Sequence, residues 1–142
     1  MKIRRMKVPD LLTLFTLWKK TELTIDNSAR EQAEATMMIK LNPSSCFVAL
    51  EEGKIIGSIF GVFNGRRAWI YHLAIDPEYQ NRGYGRALLM KVEMALKSRK
   101  ATKILLWVDQ FNPKTLSFYK KNGFKVLHDK GKIMEKDLLY SS

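Results

Sequence analysis

The stretch Gln80-Asn81-Arg82-Gly83-Tyr84-Gly85 separates two patterns of different period. Before it, Trp69-Ile70-Tyr71-His72-Leu73-Ala74-Ile75 is rich in β-branched and aromatic residues, as a buried strand is. Asp76-Pro77 ends that run, because proline has no N–H for a sheet ladder and restricts the residue before it. From Arg86 onward, Leu88, Leu89, Val92, Ala95 and Leu96 recur at helical spacing. The glycines therefore lie where a strand hands over to a helix.

That position has a chemical consequence. The first amides of a helix lack intrahelical partners, and the helix dipole places partial positive charge there. Glycines at 83 and 85 remove side chains that would hold a ligand away from those amides, and Arg82 and Arg86 add full charges. Such a site suits a phosphate or, better, a pyrophosphate. It is neither of the two common glycine fingerprints. Position 88 is leucine, so G-x-G-x-x-G fails, and Gly-Lys-Ser/Thr occurs nowhere in the chain.

With 142 residues the chain is long enough for one domain with a real core, and no linker or repeat divides it. A hydrophobic fraction of 46% argues against disorder. The single cysteine, Cys46, excludes an intrachain disulfide and fits a reducing cytoplasm. With the apolar run Phe47 to Leu50 after it and no histidine beside it, Cys46 reads as a packed thiol. Arg4, Arg5 and Lys7 before Leu11 to Trp18 imitate a secretion signal. Thr13, Thr16 and Lys19-Lys20 break the imitation, and no run is long enough to span a bilayer, so a soluble cytoplasmic protein is expected. The net charge of +11 comes from scattered basic residues, which fits an anionic cofactor or an acidic partner. No nucleic-acid recognition motif accompanies it.

In chain order the patterns predict a strand at Lys2 to Met6 and a helix from Pro9 with Leu11, Leu14, Phe15 and Trp18 on one face. Ser28-x-x-Glu31 reads as a capping box for a second helix carrying Ala33, Met37, Met38 and Leu41. Strands Cys46 to Leu50 and Lys54 to Phe63 join across Glu51-Glu52-Gly53, and Asn64-Gly65 turns the chain into the Trp69 strand. A strand at Lys103 to Asp109 follows the central helix. A short helix then opens at Pro113 with Asn112 as cap and closes at Asn122-Gly123. Phe124 to Leu127 and Ile133 to Leu139 read as a final strand pair around Lys130-Gly131. The predicted class is α/β, a single mixed sheet with helices on both faces.

Two segments carry a resemblance. Gln80-x-x-Gly83-x-Gly85 after Leu73-Ala74-Ile75-Asp76-Pro77, and Asn112-Pro113-Lys114-Thr115-Leu116-Ser117-Phe118-Tyr119-Lys120-Lys121-Asn122-Gly123-Phe124, resemble the two signatures of the GCN5-related N-acetyltransferase (GNAT) superfamily. The chain is similar to its small bacterial members, those like the ribosomal-protein alanine acetyltransferases, over roughly Lys2 to Leu139. The order of elements is also the family's, and the resemblance implies one GNAT domain over residues 1–142. It further implies acetyl transfer from acetyl-CoA, as cosubstrate, to an amine of a small molecule or a protein N-terminus, by direct attack through a tetrahedral intermediate and without a metal.

By that resemblance Leu73, Ala74 and Ile75 pair with the pantetheine arm through their backbone. Asn81, Arg82, Gly83, Tyr84, Gly85 and Arg86 hold the pyrophosphate through backbone amides, Gln80 belongs to the same cofactor-binding motif, Asn112 hydrogen-bonds the cofactor, and Tyr119 is the general acid. Asn112 as a helix cap and Tyr119 as a core ring are the competing structural roles. Glu22 and Asp26 fall in the segment that walls the acceptor site in the family, and surface-loop carboxylates are the plainer reading.

The general base has no obvious occupant. Positions where family members place a glutamate or histidine correspond here to Trp107, Trp69 and Tyr71. These three share one alternation phase and read equally as an aromatic acceptor pocket or as core. His72 is adjacent, and strand alternation turns it to the other face unless a bulge re-aims it. Without a fixed base, low-pKa amines are the easier acceptors. Deprotonation at neutral pH costs about 1 kcal/mol for an α-amine and about 4–5 kcal/mol for a lysine-like one. An acyl-CoA-binding regulatory protein without turnover is the alternative. The acceptor, the acyl length and the choice between monomer and homodimer stay open.

Overall fold

The computed structural model describes residues 1–21, 23, 28–127 and 131–139. They divide into two units, Met1–Trp107 and Val108–Ser142. The first holds a five-stranded sheet in the order β1 (Lys2–Arg5), β2 (Cys46–Glu51), β3 (Lys54–Phe63), β4 (Ala68–Ile75) and β5 (Ile104–Leu105). Neighbours are antiparallel except β4 and β5, which run parallel, so the sheet is mixed as expected.

The helices of this unit are α1 (Leu11–Lys19), α2 (Ser28–Leu41) and α3 (Tyr84–Ser98). No helix among the described residues is long and apolar enough to cross a membrane. Helix α1 turns Leu11, Leu14, Leu17 and Trp18 inward, onto a cluster with Cys46, Val48, Phe60 and Ala74 from the sheet. Trp18 is fully buried, worth on the order of 3 kcal/mol against leaving it in water. Its entry is set by Asp10, which accepts two bonds from the Arg4 guanidinium at 2.9 and 3.0 Å and one from the Lys7 amide at 2.8 Å. Burial opposes charge on Asp10. The Arg4 and Lys7 bonds outweigh it and hold the carboxyl below its usual pKa.

The opposite face of the sheet carries α3. Gly57 and Gly61 leave the room for it: a Cβ on Gly61 would stand 2.8 Å from a Val92 methyl and 2.7 Å from the Ser45 carbonyl oxygen. Val92, Leu88, Leu89 and Leu96 are all buried at that contact. Helices thus cover both faces.

Several expectations need correction. In α2 the buried residues are Ala35 and Ile39, with Met38 packed at the edge, while Met37 and Leu41 are exposed. The stripe facing the sheet is therefore Glu31, Ala35 and Ile39, a helical turn apart, with Met38 beside it. Ser28 is already helical, and Glu31 reaches across to β4, so the pair does not form the predicted capping box. The hairpin expected at Asn64-Gly65 does join β3 to β4, across a loop over 64–67 in which the Asn64 side chain accepts from the amides of Arg66 and Arg67 at 2.8 Å. The predicted strand at Lys103 to Asp109 shrinks to Ile104–Leu105, because only those residues meet β4.

In the second unit, α4 (Pro113–Lys121) begins and ends where expected. The final strand pair is absent from the described residues. Residues 124–127 and 131–139 form no ladder, and Ile133, Met134, Leu138 and Leu139 are exposed. An alternating pattern makes a strand only where a partner edge receives it. Lys130 lies outside the described residues, as do Glu22 and Asp26.

Candidate active site

Strand β4 changes character along its length. Ala68 and Trp69 pair with β3 on one side and with β5 on the other. From Ile70 to Ile75 the β3 side continues, while β5 makes no further ladder contact. Among the described residues, one backbone edge of β4 is therefore without a strand partner over the residues that include Leu73, Ala74 and Ile75.

At the end of that edge the chain makes a short 3-10 turn, Pro77–Tyr79, in which the Asp76 carboxylate accepts from the Glu78 amide at 3.0 Å. Asn81 and Gly83 then take left-handed conformations, with φ of +63° and +87°. Gly83 is the N-cap of α3 and has no side chain to cap it. The first intrahelical bond comes from Ala87 to the Gly83 carbonyl, so the amides of Tyr84, Gly85 and Arg86 precede the helical ladder. Asn81, Arg82, Gly83 and Arg86 are exposed. The Arg82 guanidinium lies 5.3 Å from the Tyr79 ring centre. Partial dehydration of Tyr84 and its bond to the Glu51 carboxylate raise that phenol's pKa. Gln80 donates its side-chain amide to the Ile75 carbonyl at 3.0 Å, tying the loop to the strand end.

The middle of the free edge carries a bulge. Phe60 pairs with Tyr71 and Ser58 with Ala74, so β4 spends one more residue than β3 over that interval. His72 supplies the irregularity with φ of +50°. Histidine is among the residues that tolerate this region best. The bulge turns the imidazole to the face of α1 and α2, against strand alternation. Its ring meets Trp18 edge-on at 4.8 Å and Phe60 at 5.7 Å, and Nε2 pairs with the Glu31 carboxylate of α2. The bulge is anchored from below. The buried Trp18 Nε1 donates to Ser58 Oγ at 2.9 Å, which donates to the His72 carbonyl at 2.9 Å.

Sequence reasoning named His72 and missed Glu31, having read it as a cap. The signal was the four-residue spacing to Ala35 and Ile39. Among the three aromatic positions, Tyr71 is 42% exposed and Trp107 is 70% exposed. Those two are not core.

In the second unit, Asn112 caps α4, accepting from the Thr115 amide at 3.2 Å. Tyr119 is buried, with its ring against Phe118 at 5.2 Å and Phe124 at 5.4 Å. Burial pushes its pKa up to about 12. The helix ends in a Schellman arrangement, Phe124 donating to the Tyr119 carbonyl and Gly123 to that of Lys120. The same burial pushes the Cys46 thiol up to about 11, so the thiolate a nucleophile requires is scarce.

Comparison with known proteins agrees with this geometry. Residues 11–124 match the model of the Acetyltransferase (GNAT) family. The chain is 28% identical over 139 residues to an acetyltransferase of Photorhabdus laumondii, covering 98% of this chain and 96% of that one. Its fold is similar to the PaiA N-acetyltransferase of Thermoplasma acidophilum, solved with coenzyme A. The TM-score is 0.77, with 28% identity and 92% of each chain covered. It is also similar to the ribosomal-protein-S18-alanine N-acetyltransferase of Escherichia coli, at a TM-score of 0.74, 21% identity and coverage of 87% and 77%. A strand open along one edge, a left-handed glycine at the helix it leads into, and a family match over most of the chain have one common account: this protein belongs to the GNAT family of acetyltransferases.

Proposed function

We propose that the protein transfers an acetyl group from acetyl-CoA to an amine, by direct attack of the amine nitrogen on the bound thioester. The observation that carries the reading is the open edge of β4 running into the uncapped start of α3. Of the backbone groups of Leu73, Ala74 and Ile75, those facing away from β3 are open to an extended amide chain, which is what the pantetheine arm is, and the Ile75 carbonyl also accepts from Gln80. The amides from Asn81 to Arg86, with two arginine charges, are suited to its pyrophosphate. A charge-assisted bond contributes roughly 1.5–3 kcal/mol, so a few of them support micromolar binding, about −8 kcal/mol. Gln80 acts by fastening the loop.

Asn112 and Tyr119 take the roles their motif has in the family. Asn112 holds the cofactor with a side chain already committed in part to its helix. Tyr119 gives its proton to the departing thiolate. With a pKa of about 12, it stays protonated across the whole working range. Its transfer to a thiolate near 8.5 is uphill, so it must run in step with C–S cleavage. We take residues 1–142 as a single catalytic domain.

The test is thiol release from acetyl-CoA across a panel of small amines and peptide N-termini. Tyr119→Phe is expected to lower kcat about 100-fold while leaving coenzyme A binding unchanged by calorimetry. No thiol release by the unaltered protein, or full kcat in the variant, would remove the assignment concerned. An alkaline limb in the wild-type rate below about pH 11 would argue against Tyr119 as the acid.

A further inference from the structure

We infer that His72 is the group that takes the proton from the acceptor amine, and that Glu31 positions it. The inference rests on the transfer reading above and fills the one role that reading leaves empty.

The argument begins with the ring's two nitrogens. Nε2 is engaged by the Glu31 carboxylate, which can only accept, so the neutral ring carries its proton there. The lone pair is then on Nδ1. Nδ1 makes no hydrogen bond among the described residues. No buried side-chain nitrogen or oxygen among them is left without a partner, so Nδ1 reaches solvent. The pair is half-buried, with 18% of the histidine and 21% of the glutamate side chain accessible. Among the described residues Glu31 is the one charged group that pairs with the ring. The remaining contacts are the rings of Trp18 from α1 and Phe60 from β3, and Arg30 and Glu34 of α2 pair with each other.

Placement supplies the second half. His72 lies three residues before the end of β4, about 10 Å back along the strand from Ile75, and the turn Pro77–Tyr79 separates that end from the glycine loop. An extended pantetheine arm laid along that edge from the loop runs back toward the bulge, which brings the reacting carbonyl toward the His72 side chain. The left-handed backbone at His72 is held by the Trp18–Ser58 relay, which fixes the ring on the α1–α2 face, while α3 closes the other. A histidine on this strand without the bulge would be turned away.

The proton balance is complete. The acceptor ammonium loses one proton to Nδ1, giving imidazolium stabilised by Glu31, and His72 later returns that proton to water. The freed nitrogen forms the C–N bond as the carbonyl electrons move to oxygen. They return as the C–S bond breaks; Tyr119 gives its proton to the departing sulfur and takes the amine's second proton in its place. The net products are the amide, the thiol of coenzyme A and one proton.

The experiment uses the full chain with acetyl-CoA and its best amine. Glycine adopts left-handed φ freely, so His72→Gly should keep the bulge while leaving a hole the size of the ring. We expect kcat to fall about 100-fold in His72→Gly and added imidazole to restore it at least tenfold, with coenzyme A binding unchanged. Glu31→Gln should lower kcat about tenfold at unaltered KM for acetyl-CoA, with Glu31→Asp recovering part of it. Should His72→Gly not fold, His72→Asn, also at ease in that backbone region, replaces it and should show the same loss. Failure of imidazole to rescue, or full kcat in His72→Asn, overturns this inference alone. No thiol release by the unaltered protein on any amine overturns the transfer reading and this inference with it.

Discussion

The two ends of β4 are built from the same kind of residue and end up with different tasks. At Ala68 and Trp69 the strand has neighbours on both sides and behaves as sheet interior. From Tyr71 to Ile75 it has one neighbour, a bulge and an open edge. Composition does not separate them, since both halves are apolar. What differs is the number of partners each backbone group finds. A strand can be framework at one end and leave its backbone edge open at the other when an adjacent strand stops early, as β5 does after Leu105.

Four changes would break or sharpen that contrast. The largest effect is expected at the framework end. Gly61 faces Ile70, and Gly61→Val drives a branched side chain into the Ser45 carbonyl and Val92, costing about 3 kcal/mol. Thermal melting should show it, while the folded fraction keeps its coenzyme A affinity. If the affinity fell with the stability, the two ends would not be separable.

Next comes alkaline pH, which acts on Cys46, the β2 residue opposite Phe60. Its folded pKa of about 11 lies above the unfolded value of 9. The folded state therefore holds the proton more tightly, and that contribution is complete below pH 9. As pH rises through 11 it is lost, about 2–3 kcal/mol in all. A Cys46→Ala variant whose unfolding free energy falls just as steeply over pH 9–11 would contradict this.

Ser58→Ala removes the acceptor for buried Trp18 and the donor to the His72 carbonyl. It should cost about 2 kcal/mol and lower kcat, as chemical denaturation and steady-state rates would reveal. Undiminished kcat would mean the bulge stands without its anchor. Smallest is Gly83→Ala. Space for the methyl is open, but φ of +87° is not, so about 1 kcal/mol of stability is expected to go along with weaker coenzyme A binding. Calorimetry showing equal affinity would take the loop out of the site.

Much of this architecture could be read ahead of the coordinates, and the exceptions share a cause. The hairpin at Glu52-Gly53, β4, α3, and α4 with its Asn112 cap and Gly123 stop are all written locally, in periodicity and punctuation. The bulge at His72 is not local: it exists only as a mismatch in residue count between β3 and β4. Glu31 was misread because Ser-x-x-Glu is a complete local message, and only the sheet's position reveals that the same side chain has a distant partner. The pair Phe124–Leu127 and Ile133–Leu139 failed in the other direction. Its alternation is genuine, yet the described residues supply no edge to complete it.

Gly57 and Gly61 stand two pleats apart on β3, under α3. Their missing side chains set how deeply the helix beds into the sheet, and thereby the height at which its first amides stand over the end of β4. On the reading proposed above, the grip on a diphosphate would be calibrated from beneath, by atoms that never meet it. A lineage of such proteins could retune cofactor hold by exchanging hydrogen for methyl at these two places, leaving every residue of the loop untouched.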